Sequence, residues 1–128
     1  MLTIRRDQLA VLEAQVRDGL AGRVAAFLRA ERPDAVDGLD EETLLERATI
    51  GLSRGWARGM RADVPLVCFA AMFVSFGPGF DRHSTVARVL ADGAITPDDL
   101  VDGLLDRLPR LVWDELEILG AAAEWNDP

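Results

Sequence analysis

The stretch that most constrains this chain is Asp63 to Asp81, DVPLVCFAAMFVSFGPGFD. From Val64 to Phe76, every residue except Ser75 is apolar or proline. A helix that is apolar all round must be surrounded by the rest of its domain. The run is too short to span a bilayer, which takes about 20 such residues. It therefore reads as a buried central helix over about 63–76. Asp63 is a candidate N-cap and Pro65 suits the first turn. Gly77-Pro78-Gly79 ends it, because no helix continues through such a sequence. Phe69 and Phe73 are its expected core anchors. Phe80 is expected to fold back onto them.

The other segments carry helical periodicity and no sustained strand alternation. Leu9, Leu12, Val16, Leu20, Val24 and Phe27 mark one face of a first helix opening at Thr3 or Asp7 and ending near Ala30. Asp40 opens a second helix, with Glu41 and Glu42 at the positive end of its dipole. Leu45, Leu52 and Trp56 share one face of it. Arg47, Arg54, Arg58 and Arg61 form a stripe on another. Gly51, Gly55 and Gly59 recur every four residues between them. Read as helix interior, each glycine costs roughly 1 kcal/mol of propensity. A second helix backbone pressed against this flank would explain that cost. Ser84 begins a short helix ending at Asp92-Gly93. Thr96-Pro97-Asp98-Asp99 begins another. A last helix follows Pro109, with Leu108, Leu111, Val112, Leu116 and Leu119 toward the core, and the end of the chain from Gly120 is expected to fray. The expected fold is all-α: one domain over residues 1–128, with five or six helices around the central one.

The formal net charge is −8 and it is unevenly placed. Residues 1–91 carry 12 arginines and 12 acids, whereas residues 92–128 carry 2 arginines and 10 acids. An acidic C-terminal part opposes nucleic acid. It suits a basic protein partner, such as a toxin or secretion component, or else simply solvates one face. The arginine stripe could bind an external anion or pair with this acidic end. MLTIRRDQLA has no apolar signal region, so the expectation is a cytoplasmic protein that does not enter a membrane.

Chemical motifs are sparse. Cys68 is the only cysteine and lies in the apolar run, where a structural thiol is expected. His83 is the only histidine. With Asp81 it supplies two ligands, short of the three or four a zinc site takes. Ser75 and Ser84 lie near it without a nucleophile elbow. Gly77-Pro78-Gly79 is not a phosphate-binding loop. The reading is therefore no enzyme, no metal and no cofactor. On the last helix Trp113 falls near Glu117 and Glu124, beside Asp114. A tryptophan among carboxylates is the pattern of an interface anchor with a charged rim, which makes these four the candidate partner-binding residues. Glu115 falls inside the apolar arc, against the pattern.

Ile4, Gln8, Leu9 and Leu12, then Gly51, Arg54 and Gly59, then Met72, Phe73, Gly77, Phe80 and Asp81 resemble a group of small helical accessory proteins of bacterial type VI secretion and polymorphic-toxin gene clusters. The likeness covers about residues 3–92. Arg82-His83-Ser84 depart from the group's pattern, and the acidic part has no counterpart in it. The resemblance implies a non-enzymatic adaptor or chaperone-like protein. The charge suggests an alternative, an acidic immunity protein that blocks a toxin.

Overall fold

The computed structural model describes residues 6–123 and Trp125, with side chains described from Gly19 onward. Among them are seven α-helices and no strand. The helices are α1 (Arg6–Glu31), α2 (Pro33–Val36), α3 (Glu41–Ala57), α4 (Asp63–Phe76), α5 (Ser84–Leu90), α6 (Leu100–Arg107) and α7 (Arg110–Ala121). Turns of 3-10 helix cover Phe80–Arg82 and Pro97–Asp99. The extra helix relative to the sequence reading is α2, one turn started by Pro33 in the stretch between the first two expected helices. No described helix is long and apolar enough to cross a membrane.

α4 is the centre, packed against α1, α3, α6 and α7. Phe69 and Phe73 are fully buried, as is Phe80, whose ring meets Phe69 at 5.8 Å and Phe76 at 5.7 Å between centroids. The enclosure is incomplete. Cys68, Met72 and Ser75 are only half-buried, and Val64 is exposed. They follow one another along one side of the helix.

The glycine flank of α3 is a helix–helix seam. A Cβ on Gly51 would stand 2.8 Å from the Ala70 Cα, so the two backbones touch there. A Cβ on Gly55 would meet side-chain ends, Leu66 Cδ2 and Phe69 Cδ1 at 3.2 Å and Met60 Sδ at 3.3 Å. Gly59 is not interior. It follows the helix at φ +96°, with Gly59 N donating to Trp56 O at 2.9 Å and Met60 N to Gly55 O at 3.1 Å. These two bonds are a Schellman cap, which takes glycine at the left-handed position. The buried face is Leu44, Ala48, Gly51, Leu52 and Gly55, while Leu45 and Trp56 sit at its half-buried edges. Small residues, more than large ones, define the seam.

Other caps also differ from expectation in detail. Asp40 caps α3 as predicted, accepting from Thr43 N at 2.8 Å. Asp63 is the first residue of α4, and Ala62 is its N-cap. The approach to α4 is bound by Asp98, whose Oδ1 accepts from Arg61 N at 2.7 Å and Ala62 N at 3.1 Å. These two backbone donors hold the Asp98 carboxyl below the ordinary carboxylate range. A depressed carboxylate stabilises the fold above its unfolded pKa, and that contribution disappears as pH falls through the folded value. In Asp98→Asn, urea stability at neutral pH should therefore be lower than in the parent, and the difference should shrink below about pH 4. A gap between the two proteins that stays constant down the acid limb would show that the carboxylate charge is not what holds the chain here.

On α1, Leu20, Ala21, Val24, Ala25 and Leu28 are buried, and Phe27 stands 40% exposed. Leu28, one turn beyond Val24, takes the inward place expected for Phe27. Leu9, Leu12 and Val16 lie outside the residues with described side chains, and Thr3 outside the described residues altogether. On α7 the inward face is Val112, Leu116 and Gly120, following the buried Leu108. Leu111 is exposed and Leu119 partly so, against expectation. The phase is set by Gly120, where a Cβ would fall 2.3 Å from the Ser75 carbonyl oxygen. Gly120 does not fray; it is the point where α7 touches the α4 backbone.

Candidate functional site

The half-buried side of α4 forms the floor of an apolar groove of about 460 Å³. Cys68, Ala71, Met72, Ser75 and Phe76 come from α4. Phe27 and Glu31 of α1 make one wall, and Val101 and Leu105 of α6 with Trp113 of α7 make the other. Leu105 is 58% exposed at the rim. Burial, and after it the negative charge of Asp102, push the Cys68 thiol up.

Arg32 closes one end of the groove. Its guanidinium lies 5.4 Å from the centroid of the Phe76 ring, and its Nη2 donates to Glu117 Oε1 at 2.6 Å. On its other side is a more polar cavity of about 390 Å³ that includes Arg47, Asp34, Glu117 and Trp125.

The candidate partner-binding residues divide. Trp113 is half-buried, not free on a solvent face, with its ring 5.8 Å from that of Phe76. Asp114 and Glu117, the next residue and one turn on along α7, are exposed. Glu117 is engaged by Arg32, whereas Asp114 has no ion-pair partner among the described residues. Glu124 lies outside the described residues.

The arginine stripe is held inside the chain, but the acidic C-terminal part is not its main partner. Arg54 Nη1 donates to Asp81 Oδ2 at 3.2 Å, and Arg58 Nη2 reaches the same oxygen at 3.5 Å. Arg54 also lies over the Phe73 ring. Arg61 stacks on Trp56 at 3.8 Å and binds the Trp56 and Met60 carbonyls. Arg47 lies 4.6 Å from the Trp125 ring centroid. Asp81 is 3% exposed, and its Oδ1 has no hydrogen-bond partner among the described residues. Its role is to lock the loop after α4 onto α3. Gly77 turns the chain into that loop at φ +90°.

His83 caps α5, in place of the expected Ser84. Its Nδ1 accepts from Thr85 N at 3.3 Å, which leaves the proton on Nε2, 2.9 Å from Glu115 Oε2. Both ring nitrogens are thus used in holding the chain, and Glu115, expected in the apolar arc, stands instead on the outward stripe with Leu111 and Leu119, from which it reaches His83. No group of three or more metal-ligating side chains occurs among the described residues.

Comparison with known protein families, curated proteins and solved structures finds no match to the chain.

Proposed function

We propose that this chain is a non-enzymatic protein-interaction module, an adaptor or chaperone-like accessory of a type VI secretion or toxin system, working in the cytoplasm. The observation that carries the interaction reading is the open groove on the central helix, with Trp113 in its wall. Large rigid aromatics in half-desolvated positions are the usual anchors of protein interfaces. The secretion setting rests on the quoted residues from Ile4 to Asp81. An acidic immunity protein that blocks a cognate toxin is the second reading. It is favoured by Asp102, Asp106 and Asp114, which have no ion-pair partner among the described residues. The charge argues against nucleic acid as the partner under either reading.

The test is affinity purification from cells expressing the protein together with its neighbouring genes. A secretion component among the bound proteins supports the adaptor, and a toxin domain supports immunity. Trp113→Ala is expected to weaken binding of that partner by at least about 2 kcal/mol, roughly thirty-fold. Circular dichroism confirms that the variant is folded. Full affinity in a folded Trp113→Ala protein would remove this surface from consideration.

A further inference from the structure

We infer that the groove over α4 receives an amphipathic α-helix of a partner protein, its apolar face against Cys68, Met72 and Leu105 and its flanks basic. This rests on the reading of the chain as an interaction module and specifies the partner's chemistry.

The floor gives the length and the periodicity. Cys68, Met72 and Ser75 stand at i, i+4 and i+7 on a helix whose other residues from Leu66 to Phe76 are buried. That is about 10 Å of helix axis at 1.5 Å per residue, or two turns. The walls are themselves helices, so the groove matches one more helix laid along α4. Strand addition is disfavoured, because the described residues contain no sheet edge to extend.

The rim gives the charge. Glu31 lines the groove, and α6, which supplies Val101 and Leu105 to one wall, carries the exposed Asp102 between them. Asp106 follows Leu105 and Asp114 follows Trp113, both exposed. On the basic side, Arg32 is already engaged by Glu117, and Arg110 lies one turn before Trp113 on α7. The acids are in excess. Basic flanks on the partner would meet complementary charge, and acidic ones would be repelled. The same excess opposes docking on anionic lipid.

Cys68 is a built-in probe, since it is the only thiol and lines the floor. The full chain is treated with a small thiol-alkylating reagent at mildly alkaline pH. Three synthetic peptides are compared: a helix with leucines at i, i+3, i+4 and i+7 and arginines on its flanks, the same helix with glutamate flanks, and a scrambled arginine–leucine peptide. The arginine-flanked helix should slow alkylation roughly tenfold or more, with an effect that weakens as salt rises. Leu105→Asp, at a rim position that tolerates polarity, should remove the protection. Leu111→Asp, on the exposed side of α7, should not.

Equal protection by the scrambled or glutamate-flanked peptide would overturn the inference. So would unchanged protection in folded Leu105→Asp, absence of protection by any peptide, or protection by anionic vesicles in place of peptide. The interaction reading fails separately, through the Trp113→Ala titration with the purified partner. If that partner binds through Trp113 while the basic helix leaves Cys68 reactive, the helix assignment falls and the module reading stands.

Discussion

Gly120→Leu should leave the protein without a cooperative thermal transition, and Gly120→Ala should already lower its stability. The contact is with backbone on both counts: a Cβ would stand 2.3 Å from the Ser75 carbonyl oxygen and 3.1 Å from the Phe76 Cα. Neither atom can rotate away, so α7 must lift off α4. Lifting it exposes Val112 and Leu116. Alanine gains about 1 kcal/mol of helix propensity over glycine. Overpacking of a close contact costs about 1–3 kcal/mol, and a shift of two helix backbones lies at the upper end. The net for Gly120→Ala is a loss of about 1–2 kcal/mol, and leucine adds three more carbons to the same contact. Gly22→Ala is the control. Gly22 is an exposed residue of α1 with nothing within 4 Å of its would-be Cβ, so there the propensity gain of up to about 1 kcal/mol should appear as a higher melting temperature. Thermal melts followed by circular dichroism read all three variants. A Gly120→Ala protein that melts as high as the parent would mean α7 is not seated on α4 as described.

Removing both guanidiniums from Asp81 should destabilise more than removing Asp81 itself. The carboxylate is 3% exposed, and one of its oxygens takes both Arg54 and Arg58. The two arginine side chains are 40% and 32% exposed. In Asp81→Ala they can turn to water, so the loss is discounted to about 2 kcal/mol, from the ion pair and the small cavity. In Arg54→Met/Arg58→Met the carboxylate stays buried with no countercharge, and a stranded charge of this kind costs about 3–5 kcal/mol. Against a total of about 5–15 kcal/mol, that is a large share. Urea unfolding of the two variants decides it. If the double arginine variant is the more stable of the two, Asp81 is not held by these arginines.

Much of the fold was legible in short stretches, because those features depend on a residue and its chain neighbours. The absence of strand alternation gave the helical class. Asp40 beside Thr43, Pro97 and Gly77 mark boundaries through local backbone chemistry. The run from Val64 to Phe76 identified the central helix through hydropathy alone. The Trp113 region was legible as a candidate surface, since an aromatic among acids stands out in any register. The groove beside it was not. Its floor belongs to a helix that reads as apolar on every side, and nothing in its sequence says which side its neighbours leave open.

Periodicity locates an apolar arc only to within a residue or two, and the tertiary contacts chose the phase. Leu28 went inward and Phe27 outward; Gly120 went inward and Leu111 outward. In the second case the reason is distance. A glycine lets two backbones meet, and a seam of backbone contact rotates the helix away from its largest leucines. The arginine stripe was visible as a stripe, but the partner of Arg54 and Arg58 was a single aspartate 23–27 residues away, brought back by the turn at Gly77. Glu115 looked misplaced in an arc with Leu111 and Leu119, but that arc faces outward, and from it Glu115 reaches His83. By itself the sequence determined the all-α class, the position of the central helix and the boundaries at Asp40, Pro97 and Gly77, since these follow from interactions within a few residues. The tertiary structure alone decided which flank of each helix is buried, which charges pair, and where the core is left open, because each depends on distances between segments far apart in the chain.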